Sequence, residues 1–261
     1  MTTFTDTDIQ AVLDAISIPR RRARPRTGRM LQDADHAMIE TPVGQIASWR
    51  RGPPGPAHLL VHGWEDDSSL WDLLIAALEP LNGAVIALDL PGHGFSEGRS
   101  ARIPEAAAAV AAVAAALGPI DGLVTHSYGG PVAITAMEDH GLAARRVVLV
   151  APPLAQAERW DWIAQRYGMP APLLAAARAR YEAEIGRNLD WFDLRRAARA
   201  MTIPALFVHS ADDEVCSHTA SLELEAAWPG ARAWILDGLG HRDIARDPSV
   251  CAEIAGFVAT S

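Results

Sequence analysis

The sequence predicts an α/β fold: a mostly parallel central sheet covered by helices on both faces. Three observations carry that expectation. Short apolar runs alternate with helical stretches along most of the chain. Runs such as Ala57–His62 and Arg146–Val150 are almost continuously apolar, as strands buried on both faces are. The 261 residues, 49% of them hydrophobic, are enough for one sizeable core without disulfide or metal support.

Residues 1–36 read as an N-terminal arm, with one helix over Asp6 to Ile16 and a cluster of Arg20, Arg21, Arg22, Arg24, Arg26 and Arg29 that reads as a solvated, partly disordered stretch. Met38–Thr41 and Gln45–Arg51 flank the turn Thr41-Pro-Val-Gly44, a strand–turn–strand pattern. Ala57–His62 is then a strand, and Ser69–Leu81 a helix with Leu70, Leu73, Leu74 and Leu78 on one face. Strand Ala84–Leu90, helix Pro104–Leu117, strand Gly122–His126, a helix from Tyr128 to about His140, and strand Arg146–Val150 follow. Such alternation calls for a parallel sheet.

Over residues 152–200 the alternation stops. Helical, arginine- and alanine-rich segments carry Trp160, Trp162, Tyr167, Tyr181, Trp191 and Phe192, which suit either a substrate pocket or anchors to the sheet. An insertion at this point is expected to sit over the sheet as a lid. The pattern resumes with strand Ala205–His209, helix Thr219–Trp228, strand Ala231–Leu236 and helix Ser249–Thr260. The core is therefore expected over 37–151 and 201–261.

Composition removes several function classes. A formal net charge of −9 disfavours nucleic acid, whose phosphates need a basic surface. The chain has no lysine, which excludes a Schiff base, a phosphate-loop lysine and a Ser–Lys dyad. Cys216 and Cys251 lie far apart and read as two reduced thiols, while His58, His209 and His218 show no ligand spacing, so no metal site is expected. No run reaches the ~20 apolar residues of a membrane span. The first thirty residues lack the basic-then-apolar pattern of a secretory signal, and a cytoplasmic location is expected.

The chemistry concentrates at Val124-Thr-His-Ser-Tyr-Gly-Gly130. A strand ends there and a helix begins, so Ser127 sits on a tight turn beside a helix N-terminus, which favours developing negative charge. Gly129 and Gly130 let strand and helix approach. A serine hydroxyl needs a base, and the base needs an orienting acid. Asp213 follows the strand at Phe207-Val-His209, with Asp212 as its rival, and His241 follows the last strand in Asp237-Gly-Leu-Gly-His241. His93 and His126 are expected to be structural, and Glu65-Asp-Asp67 a solvated start to a helix capped by Ser68 or Ser69, with repulsion of anionic substrates as the alternative role of these carboxylates.

His62-Gly-Trp64, Asp89-Leu-Pro-Gly-His-Gly-Phe-Ser96, the Ser127 turn and the Asp213/His241 pair occur in that order. In these blocks, and over about residues 37–258, the chain resembles the α/β-hydrolase superfamily, in its esterase- and lipase-like branch with a short helical lid. The resemblance implies Ser127 as nucleophile, His241 as base, Asp213 as acid, and an oxyanion hole from the main-chain N–H groups of Trp64 and Tyr128. It implies cleavage of a small acyl ester through an acyl-enzyme, with no cofactor. A thioester, amide, lactone or C–C bond would suit the same three side chains, and a receptor or scaffold without turnover is the alternative of another class. Thr125 departs from the pattern, which has glycine two residues before the serine, and a crowded turn is expected there.

Overall fold

A computed structural model describes residues 4–20 and 25–260. Among them one sheet contains β1 (Asp35–Thr41), β2 (Gly44–Arg51), β3 (Ala57–Val61), β4 (Ala84–Leu88), β5 (Ile120–His126), β6 (Arg146–Val150), β7 (Ala205–Ser210) and β8 (Arg232–Leu236). Their order across the sheet is β1-β2-β4-β3-β5-β6-β7-β8. The β1–β2 and β2–β4 pairs are antiparallel and every other pair is parallel. The mostly parallel sheet expected from the apolar runs is present.

Helices α1 (Asp6–Ser17), α2 (Asp72–Leu78), α3 (Ile103–Leu117), α4 (Gly129–His140), α5 (Gln156–Arg166), α6 (Ala171–Ile185), α7 (Leu194–Ala198), α8 (Thr219–Ala227), α9 (Gly240–Asp243) and α10 (Pro248–Ala259) surround the sheet. Successive strand residues point to opposite faces, and the core divides accordingly. Leu59, Val61, Ile86, Leu88 and Leu123 pack with Val110 and Val113 of α3 and Val132 of α4. Leu60, Val85, Ala87, Val124 and Val148 pack with Leu74 and Leu78 of α2 and Val250 and Ile254 of α10. Full burial of each Val, Leu or Ile among them contributes about 1.5–3 kcal/mol. A two-sided core of this kind leaves Cys216 and Cys251 as free thiols.

Several local expectations are corrected. The helix expected over Ser69–Leu81 is broken into a 3-10 turn at Ser68–Trp71, α2, and a second 3-10 turn at Glu79–Leu81. Pro80 has no N–H to continue the helix, and Asn82 at φ 60° ends it. Asp67 rather than a serine is the cap, accepting from Ser69 N–H at 3.1 Å. Asp66 and Asp67 are buried, not solvated. Leu73 is 42% exposed, so the buried face is Leu70, Leu74 and Leu78 with Ile75. The strand expected to reach Leu90 stops at Leu88, where Asp89 turns inward and its carboxylate accepts the Ser68 and Phe95 amides, each at 2.8 Å.

The arm is more integrated than its composition suggests. Val12, Leu13 and Ile16 of α1 are buried in the core, against α6, and β1 begins at Asp35, inside the expected arm. Arg20 donates to the Tyr167 hydroxyl at 2.8 Å, and its N–H to Glu65 Oε1 at 3.0 Å. Arg21, Arg22 and Arg24 lie outside the described residues.

The strand order fixes where a site can form. From β3 the chain winds outward to β4, then returns to β5 on the other side of β3. Loops leaving β3 and β5 therefore diverge and open a crevice at the carboxyl ends of the strands. Trp64 follows β3 and Ser127 follows β5.

Candidate active site

Ser127 has φ 50°, a left-handed conformation that a side chain adopts only under constraint. Its N–H donates to Val150 O at 2.8 Å and its C=O accepts from Gly130 N–H at 2.9 Å, which hold the turn. Gly129 is required by close approach: a Cβ there would lie 2.7 Å from His62 O. Gly130 has ordinary room, with Thr125 Oγ1 3.6 Å from where a Cβ would be. That space accommodates Thr125. The β3–β5 register shifts at Ala57/His58 but is regular from Gly122 through Thr125, as is the register to β6, so the crowding expected at Thr125 does not distort the strand.

The structure brings the three sequence-predicted side chains together. His241 Nε2 lies 2.9 Å from Ser127 Oγ, and His241 Nδ1 lies 2.7 Å from Asp213 Oδ2. With Nδ1–H donating to the carboxylate, Nε2 is left to accept the serine proton. Asp212 does not face His241; its carboxylate accepts from the Ser210 hydroxyl and from Gly238 N–H at 3.0 Å, shaping the loop that carries His241. Burial pushes the Asp213 carboxyl up, but hydrogen bonds from His209, His241 and the Cys216 amide outweigh burial and hold it well below the usual carboxylate range.

Among the described residues, the N–H groups of Trp64 and Tyr128 have no protein acceptor, and both residues line the cavity that contains Ser127. His93 fastens the Trp64 loop, its Nε2 accepting from Glu65 N–H at 3.1 Å while Nδ1 lies 2.9 Å from Pro91 O.

A family model described as the alpha/beta hydrolase family matches residues 59–254. The chain belongs to that family. Pimeloyl-[acyl-carrier protein] methyl ester esterase of Xanthomonas campestris pv. campestris is 26% identical over 226 residues, covering 72% of this chain and 88% of that one. Among solved structures, a hydrolase from Pseudomonas aeruginosa PA01 aligns with TM-score 0.69 at 18% identity, covering 88% of this chain and 100% of that one. An esterase from Rhodococcus sp. ECU1013 aligns with TM-score 0.66 at 23% identity, covering 88% and 99%. Both structural likenesses speak to the fold.

The hydrolase's cavity measures about 220 Å³, and Trp64, Ser127, Tyr128, Glu158, Arg159, Trp162, Cys216 and His241 are among its lining residues. Burial pushes the Cys216 thiol up to about 12, which keeps it protonated beside Asp213. Of the aromatic residues in the 152–200 insertion, Trp162 lines the cavity, whereas Trp160, Tyr181 and Phe192 are buried anchors. A larger depression, about 470 Å³, lies at the amino end of β5 around Gly118 and His140, away from Ser127. No group of three or more His, Cys, Asp or Glu side chains among the described residues could hold a metal, and no helix there is long and apolar enough to cross a membrane.

Three residues of the hydrolase have supporting partners that the sequence did not indicate. His209 Nε2 approaches Asp213 Oδ2 at 3.2 Å. His126 Nε2 lies 2.8 Å from His241 O and so holds the backbone of that residue. Burial and the adjacent His241 push His126 down to about 3, leaving it neutral. Arg242 reaches Asp66 at 2.7 Å, tying the His241 turn to the loop after β3. Nothing local marks any of these pairings, whose partners meet only through the fold.

Proposed function

We propose that this hydrolase is a serine esterase that cleaves small carboxylic esters through an acyl-enzyme. The reading rests on one observation above all: Asp213, His241 and Ser127 form a continuous hydrogen-bonded series ending at a cavity. Ser127 Oγ attacks the ester carbonyl carbon as its proton passes to His241 Nε2. The carbonyl oxygen becomes an oxyanion facing the Trp64 and Tyr128 N–H groups; each such donor is worth ~3 kcal/mol in reactions of this class. Collapse breaks the bond to the alkoxy group, which leaves as the alcohol with the proton from His241. Water then gives its proton to His241, attacks the acyl-enzyme, and the acid departs as Ser127 recovers its proton.

An ester is favoured over other acyl compounds by the methyl ester esterase likeness, which spans most of both chains. In this reading the 152–200 insertion acts as a lid, since Glu158, Arg159 and Trp162 line the cavity from that side. The unpaired cysteines suit a reducing, cytoplasmic setting. The test is a panel of 4-nitrophenyl esters from acetate to palmitate, beside thioester and anilide analogues of the best acyl chain. The reading expects the largest kcat/KM on a short or medium ester. A larger kcat/KM on the thioester or anilide would assign a different leaving group.

A further inference from the structure

The insertion carries many arginines, and most are matched. Arg178, Arg180, Arg187, Arg195 and Arg196 each pair with a carboxylate. Arg159 does not. It is on α5 and lines the Ser127 cavity, with its guanidinium 4.1 Å from the Trp64 ring centroid and 5.3 Å from that of Tyr128. Among the described residues no carboxylate forms an ion pair with it. Glu65, whose charge favours the arginine cation, is engaged with the Arg20 N–H.

Arg159 is half-buried. Withdrawing a cation from water is unfavourable unless something compensates, and aromatic faces do so only in part. Burial draws Arg159 below its ordinary value, yet a guanidinium stays charged in proteins. Contact with ring faces uses none of the guanidinium N–H donors, and a guanidinium can receive a carboxylate through two parallel hydrogen bonds. Trp64 and Tyr128 are the residues whose N–H groups face the reacting oxygen in the reading above. The cation therefore lines the same cavity as Ser127. Glu158 lines the same cavity, and burial pushes its carboxyl up.

We propose that Arg159 is an anion subsite, and that the preferred ester carries a carboxylate within reach of the reacting carbonyl. The inference rests on the esterase reading of Ser127.

The test compares esters matched except for the charge. Mono-4-nitrophenyl adipate against 4-nitrophenyl hexanoate places the acid on the acyl side. The 4-carboxyphenyl ester of hexanoic acid against its 4-methoxycarbonylphenyl counterpart places it on the alcohol side. Wild type should favour the acidic member of one pair by at least ten-fold in kcat/KM, and the favoured pair locates the carboxylate. Arg159→Met should reduce that ratio by ten-fold or more, chiefly through KM, and Arg159→Lys by less. Wild-type ratios at or below one in both pairs would overturn the subsite without any variant. So would a ratio that Arg159→Met leaves within two-fold, even if both rates fall, because a cation that merely assisted the oxyanion would affect both esters alike. If wild type cleaves no ester and takes up no fluorophosphonate, the esterase reading itself has failed. Cleavage of charged and neutral esters alike defeats the subsite alone.

Discussion

His209 Nε2 lies 3.2 Å from Asp213 Oδ2, the same oxygen that accepts from His241 Nδ1 at 2.7 Å. His209 is fully buried on β7. Its Nδ1 is 2.8 Å from the Ser221 hydroxyl, and its Nε2 also faces Cys216 O at 3.0 Å. Two acceptors at Nε2 assign a proton there, facing both Cys216 O and Asp213 Oδ2. A second imidazole thus fixes the rotamer of the carboxylate that orients His241.

Removing that support should loosen the acid without deleting it. His209→Ala is expected to lower kcat by about ten- to a hundred-fold, the range typical of lost supporting hydrogen bonds, with a smaller change in KM. Asp213→Asn should cost more, on the order of 10⁴-fold, because an amide can favour the wrong His241 tautomer. Steady-state kinetics on one ester compares them; a His209→Ala enzyme with wild-type kcat would show that the contact is ornamental.

Glycine is demanded at one position of the turn and not at its neighbour. A Cβ on Gly129 meets the His62 carbonyl oxygen at 2.7 Å, whereas one on Gly130 meets nothing nearer than 3.6 Å. Gly129→Ala should destabilise the fold by roughly 2 kcal/mol or more, and Gly130→Ala by under about 1 kcal/mol. Urea unfolding of the two variants measures the difference. Equal losses would mean that the strand–helix approach is not limiting.

His126 gives a pH dependence of known sign. Its folded-state value of about 3 lies below the ordinary histidine value near 6.5. Between those values the unfolded chain binds a proton that the folded chain refuses, so stability falls as pH drops below 6.5. At pH 5 the loss from this residue is about 2 kcal/mol. His126→Gln, which can still donate to His241 O, should flatten the stability–pH curve over this range in denaturant titrations. A variant curve parallel to wild type would remove His126 as the cause.

Asp66 straps the histidine turn through Arg242 at 2.7 Å, with Arg246 at 3.9 Å. Asp66→Asn removes the charge from a buried site that two arginines face. It should raise KM little and lower kcat several-fold, while proteolysis of the 238–246 segment becomes faster. Unchanged protease sensitivity would argue that His126 and the Ser210 hydroxyl, which accepts the Leu239 and Gly240 amides at 3.1 and 3.2 Å, suffice to hold the turn.

Much of this was legible from residues alone, for identifiable reasons. Apolar runs report burial directly, which is why β3 through β7 were visible. Ser127, Asp213 and His241 were legible because each follows a strand end and their chain order matches one sheet topology. The roles of His126 and His209 were not, since a lone histidine in a strand reads as core and its partner is chosen by register. Asp66 reads as surface acid until the fold brings Arg242 to it. The Ser69–Leu81 helix was over-extended because leucine spacing reports a face, whereas Asp67 capping and Pro80 decide where turns tighten. Arg159 was hidden among the arginines of the insertion; only helix packing sets it against Trp64.

The most direct measurement is covalent. Wild-type protein treated with a fluorophosphonate and digested for mass spectrometry should carry one phosphonyl adduct, on the peptide containing Ser127. Ser127→Ala should take up none, keep the wild-type circular dichroism spectrum, and lose at least 10³-fold in kcat on 4-nitrophenyl esters. Labelling at another serine, or ester turnover that survives Ser127→Ala, would contradict the assignment of Ser127 as nucleophile.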